Sequence, residues 1–185
     1  MAAIASGLNF STLSAEGFAL NICTTINTTQ NPEYPATPVA FGTPTLGMDG
    51  SKWVYAKPAA NYAVGTVGYL DTSWNFTAIT TTNAASISGE SVAVLSQVAS
   101  VTASPTTTNY DGVWVQTGGL CPAIQVAAST TANAQLYTSA TAGQLTSTSS
   151  GNVALNGVVI TTAQGSGGAG TQPGVLLEPE VALTS

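Results

Sequence analysis

Short runs of alternating apolar and polar residues recur along most of this chain, separated by clusters of Gly, Asn, Asp and Thr. The firmest lies between Leu46 and Pro58. Asp49-Gly50 signals a turn, because both residues tolerate positive φ. From Lys52 to Lys57 the chain then alternates, with Trp53, Tyr55 and Lys57 on one side and Lys52, Val54 and Ala56 on the other. Aromatic and β-branched residues suit a pleated, half-buried surface. Pro58 has no N–H for a ladder and closes the strand.

The same logic predicts strands over Gly65 to Leu70, Trp74 to Thr82, Ser91 to Ser96 and Val113 to Gln116, the last after a turn at Asp111-Gly112. More follow at Ala123 to Ala127, Gln135 to Tyr137, Asn156 to Thr162 and Gly174 to Leu177. Long helical periodicity is missing. Many short strands at near-regular spacing predict an all-β fold, a small β-barrel or sandwich of short antiparallel strands. Tyr69 to Ser73 and Tyr137 to Ser139 each follow an Ala-rich stretch, as if one strand type occurred in two halves of a barrel. Residues 165–170 (Gly-Ser-Gly-Gly-Ala-Gly) form a loop; no Lys or helical pattern follows, so they are no phosphate loop.

Residues 1–40 differ in character from residues 41–185, which divides the chain into an extended N-terminal arm and a β-rich domain. Leu13, Phe18, Ala19 and Ile22 could share one face of a short helix capped by Ser11 or Ser14. Thr24 to Pro38 carries three prolines and little periodicity, the pattern of an extended segment.

Charge narrows the function. Of 185 residues only 5% are charged, with no His, a net charge of −6 and just two basic residues, Lys52 and Lys57. Nucleic-acid binding needs Lys or Arg to displace phosphate counterions, and a polybasic membrane contact needs the same, so neither partner is expected. A hydrophobic content of 44% argues for folding rather than disorder. The surface must then be covered by Thr, Ser, Asn and Gln, which lack the usual charged safeguards against association. No segment has the apolar length of a membrane span, and residues 1–20 lack the basic start of a signal peptide, so synthesis in the cytoplasm is expected. Three glycosylation sequons, at Asn9, Asn27 and Asn75, carry no weight in so Thr-rich a chain.

Chemistry is sparse. Without His, neither a Ser-His-Asp triad nor a Cys-His pair can form. Cys23 and Cys121 match no zinc signature; they read as two buried small residues, or as a disulfide pinning the arm to the domain. Asp49 and Asp111 each precede Gly and fit turns. Glu178-Pro179-Glu180 reads as a solvated or partner-facing tail. No catalytic, cofactor or metal residue is assigned, and no enzyme activity is expected. Lys52 and Lys57 are expected to face partners. Trp53, Tyr55, Tyr69, Trp114 and Tyr137 fit core packing better than a sugar platform, with Trp53 and Trp114 facing the barrel interior.

Three passages carry a resemblance: Gly47 to Tyr55, Gly112 to Gln116, and Gln135 to Leu145, with Asn156-Gly157-Val158-Val159 and the Gly174 to Leu177 close. Together they resemble the head decoration, or capsid cement, proteins of tailed bacteriophages, over roughly Phe41 to Leu177. The resemblance implies a β-rich subunit, commonly a homotrimer, seated on an icosahedral capsid. It implies no enzymatic activity and no cofactor. It also implies contact with the major capsid protein through an extended terminal segment, for which Thr24 to Pro38 is the candidate. Two other classes remain open: another virion β-protein (tail tube, head fibre or minor capsid protein), and a carbohydrate-binding or adhesive β module.

Overall fold

One long strand organises the architecture. The computed structural model describes residues 24–27, 40–47, 49–96, 100–101 and 109–182. In chain order the strands are β1 (Thr24–Asn27), β2 (Pro44–Leu46), β3 (Lys52–Pro58), β4 (Tyr62–Ala63), β5 (Val67–Leu70) and β6 (Asn75–Ala78). The short helix α1 (Thr81–Ala84) follows, then β7 (Val92–Val94), β8 (Ser100–Val101), β9 (Asn109–Val126), β10 (Leu136–Thr138), β11 (Leu145–Thr146), β12 (Ala154–Ile160) and β13 (Gly170–Val181). The all-β prediction holds. The predicted N-terminal helix lies outside the described residues. Within the arm, β1 pairs antiparallel with Asn109 to Gly112 of β9.

Five strands close into a barrel in the order β9-β13-β12-β10-β11, with β11 returning to β9. On the other side of β9, the order β7-β5-β6-β3 also returns to β9, making a second circuit of pairings. A ring with an odd number of strands cannot be antiparallel throughout. Each circuit resolves this with one parallel pair, β11 with β9 in the first and β3 with β6 in the second. Tyr69 and Tyr137 therefore belong to two different circuits rather than two halves of one.

Each circuit has its own core. Cys121, Ile124, Leu136, Leu145, Leu155, Ile160 and Leu176 fill the first. Leu70, Phe76, Leu95, Val113 and Val115 fill the second. β7 stands between them, with Val92 and Val94 in the first core and Ala93 and Leu95 in the second. This explains why Ser91 to Ser96 is an apolar run without alternation: both faces of the strand are buried.

β9 serves both cores by changing register twice. Lys52 opposes Gly118 while Trp53 opposes Gln116, so Thr117 is an extra residue. Farther on, Cys121 opposes Gly174 and Ile124 opposes Gln172, so Pro122 and Ala123 face a single residue. Such bulges kink a strand and re-aim its side chains. Before the first bulge, Val113 and Val115 point into the second core. After it, Cys121 lies on the opposite side, in the first core, and the second bulge keeps Ile124 and Val126 there. The second bulge also accommodates Pro122, which has no N–H to donate.

The distortion at Thr117 is held by one side chain. Gln116 is completely buried. Its Oε1 accepts from the Ser96 hydroxyl at 2.7 Å, and its Nε2 donates to the carbonyls of Gly118 and Leu120 at 3.0 and 2.7 Å. Gly119 follows with φ of 89°, a conformation that costs a residue with a β-carbon about 1 kcal/mol.

Several local expectations are corrected. Asp111-Gly112 is not a turn but lies inside β9. Gly112 is needed there because a β-carbon would fall within the Tyr55 ring. The predicted strand over Trp74 to Thr82 ends at Ala78. Thr80 then caps α1, accepting from the Asn83 N–H while Asn83 accepts from the Thr80 N–H. Glu178-Pro179-Glu180 is no tail, since β13 runs through it to Val181. Trp53 and Trp114 are buried as expected, but not inside either circuit. They pack with Tyr55 and Phe41 as a separate aromatic cluster on the other face of β3 and β9.

Replacing Gln116 with Leu keeps the volume but strands two carbonyls and a hydroxyl. We expect a loss of about 2–3 kcal/mol, read as a lower denaturant midpoint at unchanged m-value.

Candidate docking face

The aromatic cluster fixes the sheet on which the candidate site lies. The Trp53 indole N–H donates to Ser51 Oγ at 2.6 Å, and Ser51 Oγ in turn donates to Asp49 Oδ1 at 2.6 Å. The Ser51 N–H reaches the same carboxylate oxygen at 3.0 Å. Burial raises the Asp49 pKa, but these bonds outweigh it and hold the carboxyl below its ordinary value. Tyr55 stacks on Phe41 at 5.5 Å and meets Trp114 at 5.2 Å. The turn that opens β3 is thus tied to its first buried indole.

On the opposite face, past the end of the second core, these strands are open. Leu46 opposes Lys52, Lys52 opposes Gly118, and Gly118 opposes Leu177. Directly opposed residues share a face, so these four form one row across β2, β3, β9 and β13. Leu120, paired with Val175, stands diagonally beside Leu177. Among the described residues the exposed large hydrophobics are Leu46, Trp74, Leu120 and Leu177, at 55%, 41%, 72% and 66% exposure. Three of those four therefore share this face. A groove of about 340 Å³, lined by Pro44, Leu46, Lys52, Val54 and Thr117 among others, opens at its β2 end.

Lys52 crosses the row. Its stem lies over Gly118, where a β-carbon would sit 3.1 Å from the lysine Cδ. Its ammonium pairs with the Glu178 carboxylate on β13. The hydrogen bond from Lys52, and then its charge, pull the Glu178 pKa below the ordinary glutamate value. Lys52 was expected to face partners, and it does lie on the open face, but already paired within the chain. Lys57 is exposed at the far end of β3.

Elsewhere the candidate chemistry is structural. Cys121 is buried, its thiol donates to the Ala123 carbonyl, and burial pushes its pKa up to about 12. Cys23 lies outside the described residues. Among the described residues no group of three or more His, Cys, Asp or Glu gathers, and no helix is long and apolar enough to cross a membrane. Asp71 accepts from the N–H groups of Ser73 and Asn75 and from the Asn75 side-chain amide. Burial opposes this, yet the Asn75 and Ser73 bonds hold its carboxyl below the ordinary range. The loop so made places Trp74 at φ of 62°, its indole lying over Gly42.

Sequence reasoning missed Leu120 and Leu177 as surface residues. Leu177 ends the predicted strand from Gly174, and Leu120 lies between two predicted strands, where only the bulge at Thr117 turns it outward. Compared with protein-family models, curated proteins and solved structures, the chain matches none.

The Glu178 shift has a defined sign. A carboxylate whose folded pKa is depressed contributes stability that is present above its unfolded value and lost as pH falls through the folded value. We expect the Glu178 carboxyl resonance to titrate below the ordinary glutamate midpoint, and Lys52→Ala to move it back up. An unmoved midpoint in Lys52→Ala would contradict the pairing.

Proposed function

We propose that the chain is a non-enzymatic virion structural protein that binds the outside of an icosahedral phage capsid and cements neighbouring major capsid subunits. The observation that carries this reading is the open face of β2, β3, β9 and β13. Among the described residues the exposed leucines gather on one sheet face, around a cation and an anion that neutralise each other. Monomeric soluble proteins rarely leave such a patch uncovered without using it. The face can be buried without stranding an unpaired charge, which would be costly.

The arm adds a second element of support. β1 joins β9 by main-chain pairing, and an extended segment that adds to a sheet gains affinity from backbone bonds with little demand on sequence. In the proposed role the rest of the arm, from β1 to Pro38, engages the major capsid protein, and many modest contacts over the lattice add through multivalency. The carbohydrate module loses its best platform, because Trp53, Tyr55 and Trp114 are all buried.

The test is binding of the purified chain to DNA-filled heads that lack it. We expect saturable binding to the outer surface and heads that survive greater heat, with a chain truncated before Ala40 failing to bind. Recovery only with tails, or specific retention by glycans, would overturn the reading.

A further inference from the structure

We propose that Asn156-Gly157 is a self-modification site, where the Asn156 side-chain amide is lost through a cyclic imide and the β12–β13 seam is weakened. Asparagine is a thermolabile residue. Its neighbour sets how readily it reacts, because the nucleophile is the neighbour's main-chain nitrogen and glycine has no β-carbon to hinder the approach. Asn156 is the one asparagine in the chain followed by Gly. The fold requires that glycine. Gly157 has φ of 73°, and a β-carbon there would lie 2.5 Å from the Leu177 carbonyl oxygen. It also stands at an interruption of the ladder. Asn156 opposes Glu180 and Val158 opposes Leu176, so Gly157 alone faces Leu177, Glu178 and Pro179. A bulge of this kind leaves residues out of regular pairing. Asn156 itself is exposed, so water and base reach its side chain.

In the reaction the Gly157 nitrogen gives its proton to base and attacks Asn156 Cγ. The new N–Cγ bond forms as the Cγ–Nδ2 bond breaks, and Nδ2 takes up a proton and leaves as ammonia. Water then opens the imide at either carbonyl, giving aspartate or isoaspartate and one added negative charge at neutral pH. Both products disturb the seam. In the intact chain Asn156 Nδ2 donates to Glu180 Oε1 at 3.4 Å. Aspartate replaces that donor with an acceptor and sets like charges directly across two strands, a destabilising pair. Isoaspartate routes the main chain through the former side chain and adds one carbon between Leu155 and Val158, both of which lie in the first core. Leu155 opposes Val181 beside the modified pair, so this rung feels either change first.

The test ages the folded full chain at neutral and at mildly alkaline pH, then follows the peptide holding Asn156 by chromatography and mass spectrometry. We expect a product heavier by the difference between water and ammonia, at Asn156 ahead of every other asparagine and faster at the higher pH. It should resolve into an aspartate and an isoaspartate form. Asn156→Gln keeps an amide opposite Glu180 but closes the larger ring far less readily, and should lose the conversion. Aged wild type and a fresh Asn156→Asp chain should both unfold at lower denaturant than fresh wild type, with amide protection lost first at Leu155 and Val181. A folded chain that keeps Asn156 intact while the urea-unfolded chain converts would remove the site. An aspartate product with no isoaspartate would rule out the imide route. Converted chains as stable and as protected as fresh ones would contradict the weakening of the seam.

Discussion

The buried Gln116 amide is the contact on which the rest of the fold depends. β9 has to supply one face to the second core and the opposite face to the barrel core, and an unbroken strand cannot place Val113, Val115 and Cys121 that way. The extra residue at Thr117 makes the change, and it leaves the carbonyls of Gly118 and Leu120 turned away from a regular ladder. Gln116 satisfies both while accepting from Ser96, so a distortion that would otherwise strand buried polar atoms is fully bonded. The same bulge exposes Leu120 and sets Gly118 beneath Lys52. Core construction and the open face thus have one origin.

What was legible in the sequence follows from which signals are local. The turn at Asp49-Gly50 and the strand from Lys52 to Pro58 were readable because alternation, turn chemistry and a terminal proline agree within a dozen residues. The structure adds why the turn matters: Asp49 and Ser51 anchor Trp53. Val113 to Gln116 and Ala123 to Ala127 were readable as strands but not as one strand. The two bulges shift the alternation between them, and Gly-Gly and Pro in the middle resemble a break. Asp111-Gly112 misled for a related reason. Glycine there answers to the Tyr55 ring from another strand, and no neighbour in sequence announces that.

Of the open face only Lys52 was readable in the sequence as an outward-facing residue. Leu120 and Leu177 look like core residues by type, and nothing near them in sequence marks them as exposed. The Lys52–Glu178 pair joins residues far apart in the chain, and its path across Gly118 exists only because β9 lies between β3 and β13. What composition did convey was the broader constraint. With so few charges, this protein must manage its surface by pairing or covering it, and the pairing on the open face is one instance. The proposed assembly role extends the same constraint, since a protein covered by neighbours has little need of charged safeguards.

Because β9 and Gln116 belong to both circuits, the two should unfold as a single cooperative unit. Native-state hydrogen exchange measures this most directly. Amides of β12 and β13 in the barrel and of β5 and β7 in the second circuit should converge on one opening free energy, and Gln116→Leu should lower all of them together. Protection that persists in the barrel while the second circuit opens separately, with the Gln116 change felt on one side only, would contradict it.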